Sequence, residues 1–135
     1  MAETTVLYSG TAGLPAGVTR ITSAEFDLGG FTTTDIFQVV KLPAGSLILG
    51  ALMEITESAG ETCTVDVGPA GGSADVILSN VDMNQVAGTL AIATQGTNIT
   101  GHVPFAAATV INVTADGGTT YAAGKGKVHL LVGMA

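Results

Sequence analysis

The chain has no tryptophan, one cysteine, four cations and six aromatic side chains among its 135 residues. Each shortage excludes something. With Cys63 alone, no internal disulfide can form, so a core must hold by packing. A zinc site needs about four N, S or O ligands, usually in close pairs. One cysteine and two distant histidines, His102 and His129, do not supply that pattern. The cations Arg20, Lys41, Lys125 and Lys127 cannot neutralise a run of phosphates, and the net charge of −7 disfavours both nucleic acid and anionic membrane surfaces. Long apolar runs are missing too. The most apolar segment, Leu47 to Ile55, is too short to span a bilayer and contains Glu54. The first residues lack the basic region and apolar stretch of a signal peptide, which predicts a chain made and kept in a cytoplasm unless it leaves inside a particle.

Charge is scarce overall. Only 11% of residues are charged, against about 25% in ordinary soluble domains, and the mean hydropathy is +0.53. Such a chain cannot cover itself with charge, so Thr, Ser, Ala, Gly and some aliphatic groups must make up much of its surface. A soluble protein with apolar surface is commonly covered there by another subunit. The composition therefore predicts oligomerisation or assembly.

What is present favours strands. Nineteen glycines and many Thr, Val and Ile residues suit strands and turns. A chain of this length buries roughly 68% of its unfolded surface and fits one domain. Residues 1–17 carry turn formers and read as an N-terminal arm or edge segment, with Val6, Leu7, Tyr8 and Leu14 as its sizeable apolar groups, placed either on a neighbouring subunit or on the chain's own core. Residues 18–135 then form the domain. Its strands are expected at Val18–Phe26, Asp35–Leu42, Ser46–Glu57, Thr62–Gly68, Gly88–Thr94, Thr97–Val103, Thr109–Ala115 and Lys127–Met134, with Asp75–Met83 as a helical turn or an irregular plug. Along Ser46–Glu57, period two puts Leu47, Leu49, Ala51, Met53 and Ile55 on one face, and Ile48, Gly50, Leu52, Glu54 and Thr56 on the other. The second face begins apolar, so Ile48 and Leu52 become candidates for cover by another sheet or subunit. Gly50 marks a bend or a close approach. The tetrapeptide Leu-Pro-Ala-Gly occurs at Leu14–Gly17 and again at Leu42–Gly45, and Pro second with Gly fourth suits a type I turn. Short strands separated by turns, with no amphipathic helix, predict an all-β, single-domain antiparallel β-sandwich, with the jelly roll as one form of it.

No catalytic constellation stands out. There is no Gly-x-Ser-x-Gly elbow and no Walker segment, since Gly124-Lys125-Gly126-Lys127 lacks the hydroxyl and the spacing. Glu54 with Glu57, and Asp75 with Asp82, are the carboxylate pairs available for glycoside chemistry. Asp66, Asp75, Asp82 and Asp116 lie near turns, where calcium ligands also occur, but no EF-hand pattern frames them. His129 alternates out of the core face of the last strand and reads as a solvated or interface residue. Cys63 reads as a buried small hydrophobe. The residues point to a protein with no catalytic residue, metal or cofactor.

Three stretches carry a resemblance. Val40-Lys41-Leu42-Pro43-Ala44-Gly45-Ser46-Leu47-Ile48-Leu49-Gly50-Ala51 resembles the hinge and following strand of small virion proteins of tailed phages. Thr64-Val65-Asp66-Val67-Gly68, with the Gly-rich loop and Ala74-Asp75 beyond it, is similar to their next segment. Thr109-Val110-Ile111-Asn112-Val113-Thr114 with Ala123-Gly124-Lys125-Gly126-Lys127-Val128 is similar to their closing strand pair. The resemblance is to tailed-phage capsid decoration, or cement, proteins, and it spans roughly residues 35–134. It implies a sandwich or jelly roll that binds the capsid exterior and bridges subunits of the major capsid protein. It also implies a homo-oligomer, a trimer in preference to a dimer, assembled in the host cytoplasm and carried on the virion. A tail, neck or head-fibre component, or a module binding glycans or a host surface, are the competing readings.

Overall fold

The computed structural model describes residues 3–8, 18–31, 35–91, 94–101, 103–116 and 121–134. Among them the chain forms β1 (Glu3–Tyr8), β2 (Val18–Thr22), β3 (Phe26–Asp27), β4 (Ile36–Leu42), β5 (Ser46–Glu57), β6 (Thr64–Pro69), β7 (Leu78–Asp82), β8 (Leu90–Ala91), β9 (Thr94–Gln95), a helical turn α1 (Thr97–Thr100), β10 (Thr109–Asp116) and β11 (Lys125–Met134). One sheet runs β1-β4-β10-β6-β7-β9; the other runs β2-β11-β5-β8, with β3 pairing β11 beside β2. The arrangement is the expected sandwich. Pairing is antiparallel except between β1 and β4, which run parallel. The segment read as an arm or edge is thus an edge strand over Glu3–Tyr8, while Leu14 and the first Leu-Pro-Ala-Gly lie outside the described residues. The expected strand Thr97–Val103 is instead the helical turn, where Ile99 and Thr100 N–H groups both donate to Gly96 O.

The core lies between the sheets. Ile111, Val113 and Ala115 of β10, Val65 and Val67 of β6, and Val128, Leu130 and Val132 of β11 all point inward, as their alternation predicts. Among the described residues, the few aromatic side chains are spent here. Phe31 stacks on Phe37 with centroids 4.2 Å apart, Phe26 tilts against Phe37 at 5.7 Å, and Tyr121 is 1% exposed. The Asp75–Met83 region resolves into a loop followed by β7, and Ile77 plugs the sandwich with no exposed surface.

Strands β5 and β4 break the simple alternation. On β5, Leu131 opposes Gly50 while Val132 opposes Ile48, so Leu49 is one residue too many and forms a bulge. The inward phase switches there: Ser46 and Ile48 face the core before the bulge, and Met53 and Ile55 after it. The expectation that Ile48 lies on an interaction face is therefore corrected, because Ile48 is fully buried in the chain's own core. Leu49, grouped by period two with Met53 and Ile55, is 37% exposed while those two are buried. On β4 the register shifts opposite Ile111 and Asn112, and Val39 and Val40 are consecutively buried. The turn at Pro43–Ser46 also departs from expectation. Ser46 N–H donates to Pro43 O, and Gly45 sits third with φ +85°, the position where a type II turn demands glycine.

Candidate interaction face

Two of the aspartates weighed for chemistry hold backbone. Asn80 N–H donates to Asp66 Oδ1 at 2.8 Å across the β6–β7 irregularity, where Asn80 adopts a left-handed φ of 55°. Asn84 N–H donates to Asp82 Oδ1 at 2.9 Å, closing the turn after β7. Asp75 is an exposed loop residue. Among the described residues no three His, Cys, Asp or Glu side chains gather as a metal site would require. Asp116 closes β10, and His102 lies outside the described residues. The Glu54–Glu57 pair is divided, Glu57 meeting Lys125 at 3.5 Å and Glu54 meeting His129. Cys63 is buried without exposed surface, and that burial pushes its thiol pKa up to about 11, with Glu61 and Asp82 adding to the rise and a hydrogen bond with Tyr121 opposing it. Such a thiol is a poor nucleophile at neutral pH.

The outer face of the β2-β11-β5-β8 sheet is different. Residues paired across an antiparallel sheet share a face. His129 pairs with Thr22 and Leu52, Leu131 with Arg20 and Gly50, and Lys127 with Glu54, so these side chains all stand on the side away from the core. Glu54 in turn pairs with Leu90 on β8. The result is a groove of about 540 Å³ whose lining includes Arg20, Leu52, Glu54, Leu90, His129 and Leu131.

At its centre is a polar network. Arg20 Nη2 donates to His129 Nδ1 at 3.0 Å, and Thr22 Oγ1 lies 2.9 Å from the same nitrogen. A guanidinium has only donors, so Nδ1 must accept and the imidazole proton resides on Nε2. Nε2 then donates to Glu54 Oε1 at 2.8 Å. The network explains why His129 is only 8% exposed although it points away from the core. Its neighbours on both flanking strands cover it, so of the two expectations for this residue, solvated or interface, the first is corrected.

Around the network the face is apolar. Leu90 is 58% exposed, Val18 57% and Leu131 45%, and the bulge turns Leu49 outward beside them. Among the described residues these four belong to a set of six large exposed hydrophobics, so most of that set lies on this one sheet. Of the interface candidates read from sequence, Leu52 belongs to this face, half-exposed next to His129. Val6, Leu7 and Tyr8 lie on β1, at the edge of the other sheet. Arg20, Glu54, Leu90 and Leu131 were not anticipated as a group. Leu131 carried a signal: if Leu130 and Val132 face inward, a leucine between them faces out.

No protein-family model matches the chain, and no curated protein matches its sequence. Solved phage capsids do contain its fold. A chain in the capsid of Ralstonia phage GP4 aligns with a TM-score of 0.66 at 18% identity, covering 95% of this chain and 91% of that one. A chain in the capsid asymmetric unit of cyanophage Pam1 gives a TM-score of 0.60 at 21% identity, covering 95% and 94%. A chain in the acidic stable capsid of the Helicobacter pylori bacteriophage KHP30 gives 0.50 at 16% identity, covering 86% and 92%. At these identities the likeness is one of fold.

Proposed function

We propose that this chain is a non-enzymatic structural protein of a phage virion, a cement protein that binds the outer surface of the capsid and bridges subunits of the major capsid protein. The observation that carries the reading is the fold likeness to chains in phage capsids, which spans 95% of this chain and 91% and 94% of those two chains. The surface chemistry agrees. Asp66 and Asp82 are spent on backbone N–H groups, and the thiol is buried and protonated. Among the described residues, four of the six large exposed hydrophobics lie on β2, β11, β5 and β8. The −7 net charge suits a shell protein that must not adhere to packaged DNA.

The work is mechanical. A ligand that binds only the assembled lattice stabilises it by RT ln(1 + [L]/Kd), about 2.7 kcal/mol at a concentration a hundred times Kd. Linking protomers into a homo-oligomer raises the effective concentration of each at its site. The expected outcome is that the heat-disruption temperature of capsids lacking this chain rises as purified chain is added and then saturates. Imaging of the saturated particles should show regular density over the whole shell. Density at a single vertex would place the chain in a tail, neck or head fibre instead. Capsids that neither bind it nor change their disruption temperature would defeat the cement reading.

A further inference from the structure

The distribution of charge on the two faces of the sandwich singles out a partner. The outer face of the β2-β11-β5-β8 sheet, with β3 at its margin, carries Arg20, Lys125 and Lys127 together with Asp27, Glu54 and Glu57. Three cations against three acids leave this face neutral. The other eight acids and Lys41 lie on other elements and loops, so they account for the whole net charge of −7. Two copies of so acidic a chain repel when they meet through most orientations. They meet without that penalty through this face, where the exposed aliphatic side chains are also gathered.

We propose that the face pairs with the same face of a second copy about a two-fold axis running along the strands between β11 and β5. Such an axis lays each β11 over the partner's β5 and preserves position along the strands. Lys127 and Glu54 are register partners, so the Lys127 of each copy comes over the Glu54 position of the other. Leu131 and Gly50 are register partners too. Each Leu131 thereby enters the space above a residue with no side chain, in a groove of about 540 Å³. The contact is isologous, each half supplying both knob and hole.

Arg20, His129 and Glu54 form one hydrogen-bonded chain within each copy, with one positive and one negative group at its ends, so closure buries a network of no net charge whose desolvation the aliphatic contact must offset. The face is also large enough to matter. Strands of ten and twelve residues spaced ~4.8 Å apart give it a flat area on the order of 500 Å², before side-chain relief, toward the ~800 Å² per partner of a standard interface. Self-complementarity of this kind argues for a two-fold pair in place of the trimer favoured from sequence.

The test is sedimentation of the full chain with no capsid present, so its outcome is independent of capsid binding. The wild type should sediment as a dimer at tens of micromolar. Leu131→Glu places a charge among the exposed aliphatic side chains of the contact and should weaken self-association by at least ~30-fold with an unchanged far-ultraviolet spectrum. Lys127→Glu, which sets acid against the partner's Glu54, should weaken it as well, and serves if Leu131→Glu fails to fold. Val86→Glu, on the exposed turn between β7 and β8, should leave the dimer intact. A monomeric or trimeric wild type would overturn the proposal. So would a dimer that survives both substitutions, or a wild type that is monomeric yet loses capsid binding on Leu131→Glu.

Discussion

Gly96 shows how tightly a single position can be specified. A methyl group there would fall 2.1 Å from the backbone carbon and oxygen of Val76, so one of the two segments must move. Gly96→Ala should cost about 1–3 kcal/mol, the usual range for overpacking, and lower the thermal midpoint by several degrees. Cys63 gives a prediction of a different kind. Its pKa rises from 9.0 to about 11 on folding, so the folded state favours the thiol and the unfolded state releases the proton first. The contribution is fully present below pH 9 and disappears as pH rises toward 11, amounting to about 2–3 kcal/mol. Denaturant titrations at pH 8 and pH 11 should show that fall, and Cys63→Ala should flatten it. At Glu54, replacement by alanine removes the acceptor of the buried His129 Nε2–H. An unsatisfied buried donor costs about 1–3 kcal/mol, whereas Glu54→Gln keeps an acceptor and should lose less in the same denaturant assay.

The elements separate what was legible in the sequence from what was not. Strands β6, β10 and β11 bury the residues that strict alternation assigns, because they keep one phase across the core. β5 was correctly bounded at Ser46 and Glu57, yet Leu47, Ile48 and Leu49, before and at the bulge, were put out of phase with the rest of the strand. Period two is a local rule, and a bulge is decided by the partner strand, so the inversion at Leu49 could not be read from β5 alone. Gly50 was a visible mark of the irregularity without showing its consequence. The interaction face was illegible for the same reason: it joins Arg20, Glu54 and His129 from three strands far apart in sequence, and only pairing brings them together. Side-chain truncation tests the inverted phase directly. Ile48→Ala should cost about 2–5 kcal/mol as a core deletion, while Leu49→Ala should cost under ~1 kcal/mol despite the strand's apparent alternation. Equal losses at the two positions would contradict the bulge.

For the whole molecule, the balance of charge sets how association responds to salt. Two chains of net charge −7 repel over a range set by the Debye length, about 30 Å at 0.01 M ionic strength and about 8 Å at 0.15 M. An interface held mainly by ion pairs would weaken as salt rises. The face on β2, β11, β5 and β8 is neutral and largely aliphatic at its rim, so screening removes more repulsion between the remaining acidic surfaces than attraction across the contact. Self-association should therefore strengthen between 0.01 and 0.15 M salt. Sedimentation at fixed protein concentration should show the dimer fraction rising over that range. Lys127→Glu raises the charge of each copy by two, to −9, and sets like charges across the contact, so its deficit relative to wild type should be largest at low salt. A dimer that dissociates as salt is added would show that ion pairs, and not the exposed leucines, hold the contact together.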